Sequence, residues 1–534
     1  MTAWDMLFLN IVSFGGAWSI IYALEYVPLY GGSPLVSLLL TAPGILALLG
    51  VYYIFQVSMP KSGGDYVFMS RVLHPAIGLA SNFAGYSFFL WFWIGDAATV
   101  FSSQGLAQTL SVYGSLTGQQ WAINAANAFT PMTTFIVGTV AIIIFTAIVL
   151  LSSRLYFIIQ NVSMVIAILA ILIIIGLFAS TNPTAFANVF NAYATNQGLQ
   201  LAEGAYQNVT ATGTSYWGGS VPTDPTSSST FMLIPLWFTV LFWVFVSNYL
   251  GGETKDTRNS ARIALFGSFA IIFLTTLAVL VIGYSNLGAD FLAGAGSYAF
   301  GYASNPFSVI PNLTLFAALL SNNALLVWII GLGVIAGFVL VAPQCMVLMS
   351  RILFAYSFDR VAPSSIAYVS ERWLTPVYGI LLAAAGGEVF LLFLSGVVGP
   401  ATANTAFLFY VYAALAAIGF TFIPVSIAAI VFPFRRKDLY QTSCPIKRKI
   451  AGIPVITWLG LVAFIYSAAS IGYYSYNYNF YFGAGTLAAT TYFPFLASIA
   501  GLFIVCIIWF YVAKWKRGKE GFPFEKAFKQ IPPD

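Results

Sequence analysis

The sequence predicts an all-α protein that crosses a lipid bilayer with twelve helices. Of its 534 residues, 60% are hydrophobic and only 7% are charged, and the mean hydropathy is +0.88. A soluble protein carries about 25% charged residues, which keep its surface hydrated. Apolar runs of about 20 residues, the length of a membrane-spanning helix, recur along the whole chain. This composition excludes a soluble enzyme, a nucleic-acid-binding protein, a secreted disulfide scaffold and a disordered chain.

Each predicted helix is one apolar run bounded by polar or turn-forming residues. We number the runs helix 1 to helix 12 and place them at residues 5–29, 34–57, 77–105, 132–152, 155–179, 230–250, 261–287, 323–350, 375–396, 404–432, 455–476 and 492–514. Several contain glycine or proline, which membrane helices tolerate better than soluble helices do. Strands of a membrane β-barrel would alternate apolar and polar residues, and these runs do not.

The positions of lysine and arginine predict how the helices are oriented. All 21 of these residues lie in the connections that follow even-numbered helices, in the C-terminal tail, or within two residues of these at the end of a predicted helix. Basic residues concentrate in cytoplasmic loops, so we expect this side and both termini to be cytoplasmic. A missed helix would have placed basic residues on both sides, so the distribution also supports the count of twelve. We expect the protein to be located in the plasma membrane of a prokaryotic cell.

The opposite side of the membrane carries a long polar connection, residues 180–229, rich in Asn, Thr, Ser, Gly and Tyr. It contains the glycosylation sequon Asn208-Val209-Thr210, and a modified and an unmodified asparagine both remain open. The three cysteines and the single histidine form no metal-binding or disulfide pattern. We therefore expect no metal site and no cofactor.

Three stretches on the basic side carry a resemblance to a known family. They are Met-Pro-Lys-Ser-Gly-Gly-Asp-Tyr at 59–66, Gly-Glu-Thr-Lys-Asp-Thr-Arg at 252–258, and Ser-Arg-Ile-Leu-Phe-Ala-Tyr at 350–356, continued by Asp-Arg-Val-Ala-Pro at 359–363 and Thr-Pro-Val at 375–377. Together they resemble the amino acid-polyamine-organocation permease superfamily over essentially the whole chain. Thr257 stands where that family usually has proline.

The resemblance implies two inverted five-helix repeats, helices 1–5 and 6–10, with discontinuous helices 1 and 6 and two peripheral helices. The transport core would then be residues 1–433, with repeats at 1–179 and 230–433 and an extracellular loop at 180–229. Residues 434–514 would form a cytoplasmic loop with helices 11 and 12, and residues 515–534 a cytoplasmic tail.

Helices 1 and 6 contain the candidate substrate site that the resemblance implies. Adjacent glycines in helix 1 favour a bend, whose free N–H groups suit a carboxylate and whose free carbonyls suit an ammonium group. The same glycines also suit close helix packing, and helix 6 has a tryptophan near the position where the family usually has glycine. The aromatic side chains could hold an amine by cation–π attraction or simply pack. The substrate-binding candidates are Ser13, Phe14, Gly15, Gly16, Ala17, Trp18, Phe242, Trp243 and Phe245.

Acidic residues inside the apolar runs are candidates for coupling. Helix 8 has no serine or threonine between 325 and 349, and helix 5 has no lysine, so the sodium site and the lysine of known relatives are not expected. Asp96 and Glu25 lie in the outer halves of helices 3 and 1 and could carry a proton or attract a cationic substrate. Glu25 could equally be a water-exposed carboxylate.

Charged residues in the three matching stretches are candidates for an inner gate, a network that breaks when the substrate site opens inward. These candidates are Asp65, Glu253, Arg258, Arg351 and Asp359. Ordinary topology determinants and lipid anchors are the alternative interpretation of the basic members.

The resemblance thus implies a secondary active transporter of amino acids that works by alternating access, either proton-coupled or as an exchanger. We favour neutral or hydrophobic amino acids as substrates. A permease for cationic amino acids or polyamines, and a nutrient sensor on the same fold, remain alternatives. The expected partners are the amino acid or amine substrate, the lipid bilayer and possible protons, with no nucleic acid. Monomer and homodimer both stay open, and an enzyme is not expected, because no polar catalytic constellation is visible.

Overall fold

The computed structural model is a bundle of helices and describes residues 1–13, 23–24, 27–196, 199, 204–299, 303–307, 311–399, 412–477, 486–524 and 528. Within this part of the chain, 11 helices are long and apolar enough to cross a membrane. They are helices 2 to 12 in order: Pro34–Ser58, Pro75–Thr117, Pro131–Leu151, Ser153–Ala179, Ser228–Tyr249, Thr257–Leu287, Ala324–Phe358, Val377–Leu394, Tyr412–Arg435, Val455–Tyr476 and Tyr492–Lys519. A shorter apolar helix, Ala3–Ser13, lies where helix 1 is predicted. The multi-pass helical architecture is confirmed, and the count of twelve remains a prediction.

Caps in the sequence explain where several of these helices begin. The hydroxyls of Ser33, Thr130 and Ser152 each accept a hydrogen bond from a backbone N–H three residues later, at the starts of helices 2, 4 and 5. Such a side chain satisfies one of the four N–H groups that have no partner within the helix. Helices 2 and 4 then continue with proline, whose missing N–H is harmless at that position.

The outer faces of the bundle are apolar, as lipid contact requires. Ile143 on helix 4, Val162 on helix 5 and Ile504 on helix 12 leave 61%, 57% and 58% of their surfaces exposed. Water would oppose such faces, whereas hydrocarbon does not. The large side chains of the interior, such as Trp237 and Tyr52, are fully buried.

The polar connection at 180–229 is not an open loop. It contains the helices Pro183–Asn196 and Ala205–Trp217, which pack with Ala289–Ala299 and Leu313–Ser321 from the connection between helices 7 and 8. We call these four helices the outer cap. Hydropathy does not predict these helices, because only a short apolar stripe on each of them contributes to their common core. The rings of Phe186, Phe190, Phe291 and Phe316 lie between 5.2 and 6.3 Å from one another.

The sequon asparagine lies inside this cap. Asn208 is half-buried in the helix Ala205–Trp217, and its side-chain oxygen accepts a hydrogen bond of 3.2 Å from the Tyr298 hydroxyl. Asn208 thus lies in a helix and its side chain is already hydrogen-bonded, whereas a glycosylated asparagine is usually presented on an exposed loop.

Three predicted boundaries need correction. Helix 3 does not end at 105 but continues to Thr117, through π-helical turns at Phe83–Ser87 and Phe101–Ala107. Helix 8 continues past 350 to Phe358, and helix 12 continues past 514 to Lys519. Polar residues can continue a helix beyond its apolar stretch, so hydropathy marks where a segment stays apolar and not where its helix ends.

Close packing within the outer cap yields a first prediction. A Cβ on Gly294 would lie 1.8 Å from the backbone oxygen of Val209, so alanine there would force two helices apart. We expect Gly294→Ala to lower the free energy of unfolding by about 1–3 kcal/mol. The matched control is Gly176→Ala on helix 5, where a Cβ meets nothing within 4 Å and the change should be neutral or stabilising. Denaturant unfolding of both variants in micelles measures this, and equal effects would contradict the packing argument.

Candidate functional site

Helix 6 is interrupted inside the protein. Its α-helical part, Ser228–Leu241, has 14 residues and is therefore about 21 Å long, at 1.5 Å per residue. A turn at 242–245 follows, and the chain then continues as short 3-10 helices, Val246–Tyr249 and Gly251–Glu253. All residues of the turn are buried. Membrane proteins tolerate non-helical backbone at this depth only where protein or a cavity surrounds it.

The turn is surrounded by aromatic rings, which we call the aromatic cluster. The Trp243 ring lies 4.5 Å from Phe242 and packs edge-on against Trp93 of helix 3 at 5.3 Å. The cluster comprises Phe242, Trp243 and Phe245 of helix 6 together with Tyr52, Tyr86, Trp93 and Phe422. It therefore places the three helix 6 candidates next to helices 2, 3 and 10.

Polar side chains fix the helix Ala3–Ser13, the described part of helix 1, beside the same region. The Asn10 amide donates to the Ala264 carbonyl of helix 7 at 2.9 Å, and its oxygen accepts from the Ser247 N–H at 2.8 Å. Gln344 of helix 8 donates to the Leu9 carbonyl. These contacts join helix 1 to helices 6, 7 and 8 four residues or fewer from its end at Ser13, which is half-buried.

The other helix 1 candidates, Phe14, Gly15, Gly16, Ala17, Trp18 and Glu25, lie outside the described residues. Asp96 is described, and its exposed fraction is 3%. It stands three residues after Trp93 on helix 3, so the two side chains share one helix face. Asp96 is therefore one turn further along the face that carries the aromatic cluster.

At the end of the bundle where the lysines and arginines lie, which we call the basic end, the strongest interaction is a buried ion pair. Arg71 donates two hydrogen bonds of 2.6 Å to the two carboxylate oxygens of Asp359. The Tyr66 hydroxyl donates a third, of 2.7 Å, to the same carboxylate. Both charged side chains are almost fully buried, and a bidentate pair of this geometry is among the strongest in proteins.

A second ion pair joins helix 8 to the short 3-10 helix Gly251–Glu253 that follows helix 6. Arg351 donates to the Glu253 carboxylate from Nε at 2.9 Å and from Nη2 at 3.3 Å. The glutamate keeps 34% of its side chain exposed, so water screens this pair more than the first. Arg258, the fifth gate candidate, is exposed and forms no ion pair with the residues that the structure describes.

Asp65 is buried without an ion-pair partner in the described part of the chain. Its carboxylate accepts hydrogen bonds from Asn82 at 2.6 Å, Tyr249 at 2.8 Å and Tyr52 at 3.2 Å. The residue lies between helices 2 and 3, outside the spanning segments. Burial raises its pKa to about 6, although the three donors oppose that rise. Because Tyr249 follows the helix 6 turn, this carboxylate fastens helix 6 to helices 2 and 3.

Sequence reasoning missed most of the neutral partners at the basic end. Tyr66 lies in the first matching stretch and Arg71 lies next to it. Their position at a family motif could have identified both as partners in the gate. Tyr52, Asn82 and Tyr249 lie within apolar runs or at their ends, where tyrosine and asparagine are easily taken for packing residues. Only the fold brings them to one carboxylate.

A cavity of about 270 Å³ opens at the basic end and leads towards these pairs. It is lined in part by Lys61, Ser62, Glu253, Arg351, Phe354 and Asp359. Glu253 and Arg351 of the second ion pair and Asp359 of the first therefore lie in the wall of this cavity.

Comparison with known protein families identifies the family of this chain. A family model described as amino acid permease matches residues 3–507, nearly the whole chain. No curated protein matches the sequence. The matched range contains the helix 6 turn, the aromatic cluster and both ion pairs at the basic end.

Proposed function

The chain belongs to the amino acid permease family, and on that premise we propose that it is a secondary active transporter that moves amino acids by alternating access. Members of this family are transporters and not enzymes. We place the substrate at the turn of helix 6 and at the discontinuity that the resemblance implies for helix 1, where residues 14–22 lie outside the described part of the chain. We propose the two inverted five-helix repeats at 1–179 and 230–433 as the framework of that site.

The interrupted helix 6 is the observation that supports this proposal most directly. Breaking a helix in the membrane leaves N–H and C=O groups without their usual partners, and each such group costs several kcal/mol in hydrocarbon. In this proposal, the substrate takes up the groups at the break that the protein itself does not bond. An amino acid carries a carboxylate for the N–H groups and an ammonium group for the carbonyls.

The aromatic cluster favours neutral or hydrophobic amino acids. Phe242, Trp243 and Phe245 surround the helix 6 turn with apolar surface, so a substrate side chain placed there gains by burying its own apolar area. Cationic amino acids or amines are the second candidate. Asp96, one turn from Trp93, supports it, because a buried carboxylate could pair with a second positive charge.

The contacts at the basic end act as the inner gate in this proposal. Glu253 and Tyr249 lie just beyond the helix 6 turn, and each is bound to another part of the bundle, Arg351 or Asp65. Opening the site on this side must separate these partners. The positive-inside rule places the basic end in the cytoplasm, and we propose the plasma membrane as the location. Proton coupling and exchange are both compatible with this gate.

Ligand-induced stabilisation of the purified protein tests the substrate class. A ligand at about 100 times its Kd adds about 2.7 kcal/mol to the free energy of unfolding. We expect a rise in melting temperature with neutral, apolar amino acids among the twenty amino acids and common polyamines. Trp243→Leu should weaken the apparent affinity derived from this rise at least tenfold. Trp121→Leu replaces a tryptophan that is 56% exposed and should leave the affinity unchanged.

The other outcomes separate the alternatives. Stabilisation by lysine, arginine or polyamines, lost in Asp96→Asn, would establish the cationic substrate class. Binding without uptake of the radiolabelled ligand into proteoliposomes would favour the sensor. A folded protein that responds to none of these compounds would refute the amino acid proposal.

A further inference from the structure

The connection between helices 10 and 11 contains a β-hairpin, with the antiparallel strands Lys449–Ile450 and Ile453–Pro454. A two-residue turn at 451–452 joins the strands, and both of its residues have a positive φ, as a type I′ turn requires. The Val455 N–H donates to the Arg448 carbonyl at 3.0 Å and extends the pairing by one residue on each side. The hairpin is therefore a regular element that leads directly into helix 11.

One face of this hairpin is apolar and exposed. Ile450 and Ile453 stand directly opposite each other on the two strands, so their side chains lie on the same face. They are 53% and 37% exposed. Arg448 precedes Ile450 by two residues and shares that face, because side chains alternate along a strand. Two neighbouring isoleucines that remain exposed form a patch suited to contact with an apolar phase.

The same element carries positive charge. Residues 447–449 read Lys-Arg-Lys, and all three side chains are exposed. The sequence has no aspartate or glutamate from residue 439 to residue 519, so no carboxylate comes from the hairpin or from helix 11. An exposed apolar pair beside three cations is the combination that an anionic membrane surface attracts.

Helix 11 fixes the level of the hairpin relative to the membrane. This helix, Val455–Tyr476, has 22 residues and is about 33 Å long, against about 30 Å for the hydrocarbon core of a bilayer. Its first turn therefore lies at the edge of the hydrocarbon. The Trp458 indole N–H, in that turn, donates to the Ile450 carbonyl at 3.1 Å. This hydrogen bond holds the hairpin beside the first turn, at the level of the lipid headgroups.

We propose that this hairpin docks on the membrane leaflet at the basic end. Ile450 and Ile453 enter the boundary between headgroups and acyl chains, and residues 447–449 bind the headgroups of anionic phospholipids. The docked hairpin anchors the start of helix 11, which packs against helices 2 and 10. An acidic segment of another protein would also satisfy the cations, but it would not require the hairpin to lie at the level of the headgroups. The docking does not depend on the substrate or on the gate.

A spin label on the hairpin measures its depth in the membrane. The label is attached to the cysteine of the Ile453→Cys variant, in full-length protein reconstituted into phosphatidylcholine bilayers with and without phosphatidylglycerol. The three native cysteines are buried, and protein without the added cysteine gives the background labelling. With phosphatidylglycerol present, we expect the label to be more accessible to oxygen than to a water-soluble nickel complex, because it then lies at the edge of the acyl chains.

Charge substitutions test the contribution of the cations. Arg448→Gln/Lys449→Gln should lower the ratio of inserted to free hairpin about 30-fold, since each cation near an anionic surface contributes about fivefold. The matched control Lys255→Gln/Arg372→Gln removes the same charge from other exposed positions at the basic end and should leave that ratio unchanged. Melting temperatures in phosphatidylcholine that equal the value of the wild type confirm that both double variants fold.

Each outcome decides the proposal. Insertion that requires phosphatidylglycerol and is lost only in the hairpin variant establishes docking on anionic lipid. A label that stays in water in both bilayers would overturn the proposal and favour a protein partner for this surface. Equal losses in both double variants would overturn it as well, because they would show general attraction between the basic end and the membrane. Equal insertion with and without phosphatidylglycerol would show that the cations bind no anionic headgroup, and would contradict the proposal too.

Discussion

Arg71→Ala is expected to lower the free energy of unfolding by about 3–5 kcal/mol, the typical cost of removing one partner of a buried ion pair. The variant leaves the Asp359 carboxylate buried, with an exposed fraction of 2%, and with only the Tyr66 hydroxyl of its two described side-chain partners. Without its cation, that carboxylate must either remain charged in a dry environment or take up a proton. Denaturant unfolding in micelles at neutral pH measures the loss.

Arg517→Ala is the matched control. Arg517 pairs with Glu520 at 2.7 Å near the end of helix 12, but the two side chains are 20% and 47% exposed. We expect a loss of at most about 1 kcal/mol there. Replacing both members of the buried pair, as Arg71→Met/Asp359→Leu, should recover much of the stability, because no charge is then left without a partner. A single variant as stable as the control would show that the buried pair does not hold the basic end together.

Asp65→Asn is expected to remove a pH dependence from both stability and transport. Burial raises the pKa of Asp65 to about 6, well above the value of about 3.9 for an exposed aspartate. The folded protein therefore binds this proton more tightly than the unfolded chain, and its stability falls as the pH rises from about 4 to about 6. A pKa difference of about 2 corresponds to about 3 kcal/mol. Asparagine has no charge to bury, so the free energy of unfolding of the variant should not fall over this range. From pH 4 to pH 7.5, it should therefore rise by that amount relative to the free energy of unfolding of the wild type.

The transport effect follows from the position of Tyr249. Protonation of Asp65 removes the negative charge to which the Tyr249 hydroxyl donates, and so weakens the contact between helix 6 and helices 2 and 3. We expect wild-type uptake into proteoliposomes to change across pH 6 and uptake by Asp65→Asn to be flat there. Asp256→Asn is the control, because this exposed helix cap works equally well as asparagine. If the variant and the wild type keep the same pH profile, Asp65 does not control the gate.

Hydropathy and the charge distribution are sufficient to predict most of the helical framework. Helices 2, 4, 5 and 11 begin and end within two residues of their predicted bounds. A helix that crosses a bilayer requires about 20 consecutive apolar residues, so hydropathy along the chain is enough to locate it. The outer cap was missed for the same reason, since its helices are short and owe their stability to a few phenylalanines that meet only in the folded protein.

The candidate site divides in a similar way. Family motifs identified Asp65, Glu253, Arg351 and Asp359, and the structure assigns each a partner. The motifs gave no reason to separate Arg258 from that group or to pair Asp359 with Arg71, because a pairing between residues 288 positions apart is a property of the packed helices.

The sequence by itself therefore determined the lipid environment, most of the membrane-spanning helices and the family of this protein. Each depends on properties that are local along the chain: apolar runs, basic connections and short motifs. The tertiary structure decided where helix 6 breaks, which carboxylates are paired with an arginine and which one is buried among neutral donors. Those features depend on distances and burial between segments remote in sequence, and only the folded bundle sets them.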